Sequence, residues 1–168
     1  ALALACGVRP QVVVGDLDSL DATLRDELAA AGAGFVIHPA AKDETDLELA
    51  LLHVAASDAQ AALLLGALGG RLDQMLANVQ LLARPELAHL ALQLAGDREM
   101  LYLVRDRLTL PGAAGDRVSL LPWGGDALGV TARGLAWPLE RATLHFYEAR
   151  GVSNVMRGAQ VEVRVEQG

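Results

Sequence analysis

Three short apolar runs, each followed by a segment of helical periodicity, constrain this chain more than any other feature. Residues 11–14 (QVVV) are largely β-branched and end at Gly15, after which Leu20, Leu24, Leu28 and Ala31 recur at helical spacing up to Gly32. Residues 35–37 (FVI) begin a second unit, in which Leu47, Ala50, Leu51 and Val54 follow at i, i+3, i+4 and i+7. Residues 61–65 begin a third, with a glycine-rich loop at 66–70 and an apolar stripe of Leu72, Met75, Leu76, Val79 and Leu82. Alternating units of this length predict an α/β domain: a parallel sheet with helices on both faces.

From His89 onward the helical period fades, with helix and strand readings competing only at 97–104. Turn signals become frequent at Pro111-Gly112, Gly115-Asp116, Gly124-Gly125-Asp126 and Arg150-Gly151. Strand-like runs lie between them at 118–121, 143–147 and 161–165, the last strictly alternating, and they predict a small all-β sandwich. The charges divide at the same place: residues 1–96 carry 12 acids against 5 bases, and residues 97–168 carry 9 against 9. Two domains, 1–96 and 97–168, are the expected organisation.

Composition narrows the function. With a net charge of −7 and only six aromatic residues, no basic, aromatic-rich nucleic-acid surface is expected. No apolar run reaches the roughly 18 residues of a membrane span, and the first residues lack the basic start and small-residue cleavage site of a secretory leader. A soluble cytoplasmic protein is expected. Cys6 is the only cysteine, and His38, His53, His89 and His145 lack ligand spacing, so a zinc site is not expected.

The chemistry gathers at the three strand-to-helix loops. Asp16 and Asp18 follow the first strand, on the carboxyl edge where open α/β sheets place their ligands, and acids at i and i+2 can converge on a hard cation. The plainer reading is that Asp18 or Ser19 caps the next helix. Asp43 and Asp46 follow the second strand, where Thr45 and Glu48 match a capping box and Lys42 is the chain's only lysine. After the third strand, Gly69 and Gly70 allow close backbone approach and Arg71 offers a bidentate fork for phosphate, with Asp73 beyond it. Taken alone, that segment reads as a tight loop with an exposed arginine. Arg71, Gln74 and Asn78 share the polar face of the helix that follows. Carboxylates repel a polyphosphate unless a divalent cation bridges them, so the set suggests phosphoryl or pyrophosphoryl transfer with magnesium.

Five motifs, in order, resemble the thiamine pyrophosphokinase family: VVGDLDS (13–19), KDETD (42–46), GGRLDQMLANVQLL (69–82), GLAWPLE (134–140) and RGVSN (150–154). The resemblance implies an α/β catalytic domain followed by a β-sandwich, working as a homodimer with sites between subunits. It implies transfer of the β,γ-pyrophosphoryl group of ATP to the hydroxyl of thiamine, leaving AMP. It makes Asp16, Asp18 and Asp46 the magnesium site, completed for catalysis by Arg71 and Asp73. Ser19, Lys42, Asp43, Thr45, Gly69 and Gly70 would hold ATP, and Trp137, Ser153 and Asn154 would hold thiamine. The plainer reading of Trp137 is a core or rim aromatic of a small sandwich.

Three departures from the family pattern stand out. A preceding strand with an acidic A-D-G-G-type loop is expected before the first residue, Gln74 stands where the family has histidine, and a final strand is expected beyond Gln167-Gly168. The competing expectations are a pyrophosphokinase of a related alcohol such as a hydroxymethylpterin, a thiamine- or nucleotide-binding protein without turnover, and a magnesium-dependent phosphohydrolase.

Overall fold

Each of the three apolar runs forms a strand. The computed structural model describes residues 2–168, and α1 (Leu2–Ala5) leads into β1 (Val12–Gly15), α2 (Ala22–Ala30) and β2 (Gly34–Ile37). The chain continues through α3 (Asp46–Ala55), β3 (Ala61–Leu65), α4 (Leu72–Leu81), a 3-10 turn at Pro85–Leu87, β4 (Ala91–Ala95) and β5 (Met100–Tyr102). β1 pairs in parallel with β2, and β3 with β4, as a βα repeat requires; β5 then turns back antiparallel on β4. Strand β4, which the periodicity does not mark, extends the α/β part, and β5 holds 100–102 to it. The division of the chain accordingly falls after Tyr102 rather than at the expected Gly96-Asp97.

Local chemistry explains the helix starts. Asp21 caps α2 by accepting the Leu24 N–H at 2.8 Å, so neither Asp18 nor Ser19 is the cap. Thr45 caps α3 by accepting the Glu48 N–H at 3.2 Å, while the Glu48 carboxylate is engaged by Arg84 near the start of the 3-10 turn. Leu51, Leu64, Leu82, Leu87 and Leu94 are buried in this unit, each worth about 1.5–3 kcal/mol of removed apolar surface. Among the described residues no helix is long and apolar enough to cross a membrane.

The second unit, Leu103–Gly168, is all antiparallel. Its strands are β6 (Arg107–Pro111), β7 (Arg117–Val118), β8 (Ala127–Arg133), β9 (Leu139–Leu144), β10 (Asn154–Val155) and β11 (Gln160–Arg164). They form a ladder β6-β11-β8-β9 and a short β7-β10 pair, a sandwich-like arrangement. The strict alternation at 161–165 marks β11: Val161 and Val163 face a core shared with Ala132, Leu135 and Met156, while Glu162 pairs outward with Arg107 at 2.8 Å. The expected strand at 118–121 is only the end of β7, and the one at 143–147 stops at Leu144.

A side chain from just before the opposite strand meets the backbone at that stop. Asp126, next to the start of β8, accepts the Phe146 N–H at 2.8 Å and meets His145 Nδ1 at 2.7 Å. The His145 ring stacks on Tyr147, with centroids 5.3 Å apart. Asp126 raises the His145 pKa, with Glu148 adding to the effect and Arg150 opposing it; the Phe146 N–H, then His145, lower that of Asp126. A raised histidine contributes stability that is complete below its ordinary 6.5 and lost as pH rises through the folded value, and a lowered aspartate contributes stability complete above its ordinary 3.8 and lost on acidification. The pair is therefore fully effective between those two values. Asp126→Asn keeps an acceptor for Phe146 but removes the charge, so the urea midpoint should fall below wild type by more at about pH 5.5 than at about pH 9. An equal deficit at both values would show that the pair does not titrate as a unit.

Candidate functional site

The carboxyl ends of β1 and β3, the loop before α3 and one face of α4 line a cavity of about 410 Å³ within the first unit. Its charged residues include Asp16, Lys42, Glu44 and Asp46, and Thr45, Gln74 and Asn78 add neutral polar groups. Lys42 stands between the two aspartates: its Nζ lies 2.9 Å from Asp46 Oδ1 and 3.7 Å from Asp16 Oδ2.

Gly15 makes this approach possible. Its φ of +146° disfavours any side chain, and a Cβ there would come within 2.9 Å of the Asp46 carboxylate carbon. The GDLD motif thus carries a glycine because the acid from the next βα loop presses against that backbone. Asp16 is itself fixed by its neighbour, since Oδ1 accepts the Asp18 N–H at 3.1 Å. That N–H, together with the charge of Lys42, lowers the Asp16 pKa and keeps it a carboxylate. The hydrogen bond to Asp46, with Asp16 contributing, raises the Lys42 pKa and keeps it an ammonium.

The structure gathers only part of the set read from the sequence. Asp16, Lys42, Thr45 and Asp46 line the cavity; Asp18, Ser19, Asp43, Gly69, Gly70, Arg71 and Asp73 do not. Asp18 is exposed and donates its backbone N–H to Asp16, and among the described residues no three His, Cys, Asp or Glu side chains form a metal-holding group. Arg71 and Asp73 are exposed and bind each other, Nη2 to Oδ2 at 2.5 Å and Nε to Oδ1 at 3.1 Å. This contact raises the Arg71 pKa and lowers that of Asp73, and Asp73 also accepts the Gln74 N–H. The spacing i, i+2 at a helix start brings the fork onto its own neighbour, which no motif reading anticipates.

Asn78 is the residue that sequence reasoning placed on a polar face without giving it a task. One turn beyond Gln74, its Nδ2 donates to the Ala67 carbonyl at 2.8 Å, tying α4 back to the glycine-rich loop that precedes it. Gly66, Gly69 and Gly70 all have positive φ, so the loop has little conformational preference of its own and relies on such a tie.

In the second unit, two distant motifs meet. Asn154, buried at 8% exposure, accepts the N–H groups of Trp137 and Val155 through Oδ1 and donates to the Trp137 carbonyl at 2.6 Å. Its amide is therefore committed to holding the Trp137 backbone, while the Trp137 side chain is 65% exposed. Ser153 is exposed, has a φ of +61°, and donates its N–H to Ser119 Oγ. Gly151 cannot carry a side chain, because a Cβ would collide with the Leu120 carbonyl.

An α/β unit with an acid–lysine–acid cavity at its strand ends, followed by an antiparallel unit displaying a clamped tryptophan, is the class of protein that fold and site define. Residues 2–94 match the family description thiamin pyrophosphokinase, catalytic domain, and residues 107–168 match thiamin pyrophosphokinase, vitamin B1 binding domain. The chain belongs to the thiamin pyrophosphokinase family. It is 24% identical over 166 residues to thiamine pyrophosphokinase 1 of Oryza sativa subsp. japonica, covering 92% of this chain and 62% of that relative. It is 26% identical over 153 residues to thiamine pyrophosphokinase of Bacillus subtilis (strain 168), covering 90% and 72%. The crystal structure of thiamine pyrophosphokinase from Bacillus subtilis superposes with a TM-score of 0.86 at 25% identity, covering 98% of this chain and 78% of that one. The chain thus spans less than two thirds of the length of the rice relative.

The Asn78 tie has a measurable consequence. One hydrogen bond contributes about 0.5–1.5 kcal/mol net, so Asn78→Leu, which keeps the bulk and removes the donor, should speed amide exchange at 66–70 by roughly twofold to tenfold. The amides of β4 should be unaffected. Unchanged exchange in the loop would show that the bond does not restrain it.

Proposed function

We propose that this chain transfers the β,γ-pyrophosphoryl group of ATP to the hydroxyl of thiamine, giving thiamine diphosphate and AMP, with magnesium as the metal. The carrying observation is that both family descriptions match in order along the chain, with the cavity holding Asp16, Lys42 and Asp46 inside the first match. The metal suits the donor set, because Asp16 Oδ2 and Asp46 Oδ1 already converge on one cationic centre, and magnesium commonly takes one or two carboxylates plus phosphate oxygens. When bound, it would offset the charge of the phosphates.

The chain's own residues supply binding and orientation. Asp16, its pKa lowered, acts as a ligand or acceptor and not as an acid. Lys42 brings a permanent positive charge to the same space, and Thr45 sets the start of α3 beside it. Arg71 offers a planar fork to a phosphate once Asp73 releases it. In the second unit the exposed face of Trp137, held from behind by Asn154, suits the cationic thiazolium of thiamine, a contact of about 0.5–2 kcal/mol depending on desolvation. The family resemblance supports a cytoplasmic homodimer with sites between subunits as part of this reading.

Mass spectrometry of a reaction containing the protein, ATP, magnesium and thiamine should find thiamine diphosphate and AMP in equal amounts. In Asp46→Asn the rate should fall by about a hundredfold or more, as when a fixed electrostatic contact to a reacting phosphate is lost. Orthophosphate or ADP as the only new product, or ligand binding with no product, would overturn the reading.

A further inference from the structure

Lys42 occupies a position that helix energetics do not explain. It precedes the cap of α3 by three residues, at the end of the helix where a cation is disfavoured. Its side chain is nonetheless only 12% exposed, against 54% for Asp46, and its ammonium touches carboxylates from two different βα loops. A long, flexible side chain held this way gives up rotamer freedom and hydration. The return is electrostatic: it relieves the repulsion of Asp16 and Asp46 across the cavity.

We propose that Lys42 is a built-in counter-cation that competes with the divalent metal for Asp16 and Asp46, so that the metal binds tightly only when a phosphate takes over the ammonium. The proposal rests on the reading that metal and ATP meet at this cavity, and it adds how their binding is coupled. Asp16 Oδ2 and Asp46 Oδ1 cannot serve the ammonium and a metal at one point, since the two cations repel. Metal entry therefore turns Nζ out of the pair. Its three donors and four-carbon stem then suit it to a phosphate oxygen in the same cavity. Phosphate stabilises the displaced lysine and the metal stabilises the phosphate, and linkage makes the assistance equal in both directions.

Calorimetry with manganese(II) as the probe, in the absence of any nucleotide or thiamine, tests this on the whole chain. Lys42→Met and Lys42→Gln should each bind manganese about tenfold or more tightly than wild type, because a competing positive charge has left the site. Lys42→Arg keeps the charge and should stay within about twofold. Adding Asp16→Asn to Lys42→Met should abolish the gain. Unchanged or weaker binding in both neutral variants, with native circular dichroism, would overturn the proposal, as would a gain that survives Asp16→Asn. Because no ATP or thiamine is present, failure of the transfer reaction and failure of the coupling are read separately.

Discussion

Two carboxylates from separate βα loops can face one small space only if their repulsion is offset, and the first unit is organised around that requirement. β1 and β2 pair in parallel, so the loops that follow them open on the same edge and bring Asp16 and Asp46 together. Gly15 leaves out the Cβ that would push Asp46 away, the Asp18 N–H fixes Asp16, and Lys42 supplies the compensating charge. Each of these three features lies in a five- to seven-residue motif that is unremarkable in isolation. Their shared purpose emerges only when parallel pairing superimposes the loops.

The second unit solves a different problem, which is to present an aromatic face to solvent without letting it collapse into the core. The backbone of Trp137 is bonded on both its N–H and its carbonyl to the buried amide of Asn154. The neighbouring Leu135 and Met156 are buried and bridge the same two segments. The indole is thereby left outward while its anchor is part of the packed interior. Asn154, expected at the ligand, spends its side-chain amide on the backbone of Trp137 and Val155.

Much of this was legible in the sequence, and the limits have physical causes. β1, β2 and β3 fall within a residue or so of the apolar runs, because short runs bounded by glycine or proline leave little choice of period. β4 escaped, since ALQLA carries no turn signal at its start and its alternation spans only five residues. β8 escaped because Gly129 and its register shifts against β9 break the alternation. The strand expected at 143–147 stopped early, where a group outside the segment, the Asp126 side chain, takes the Phe146 N–H. At the site, the motifs pointed to Asp16, Lys42, Thr45 and Asp46, which the fold gathers. They also pointed to Asp18, Arg71 and Asp73, which the fold leaves outside the cavity, because contacts such as the Arg71–Asp73 fork depend on side-chain directions that spacing does not encode. Asn78 was visible as part of a polar helix face, but its bond to Ala67 depends on how the glycine-rich loop folds back.

Anomalous diffraction from crystals grown with manganese(II) and a non-hydrolysable ATP analogue would test the organisation of the site most directly. One manganese peak should lie within direct coordination distance of oxygens of both Asp16 and Asp46, with the Lys42 ammonium moved from the carboxylates onto a phosphate oxygen. A peak away from these two aspartates, or Lys42 still bridging them beside bound nucleotide, would contradict the account.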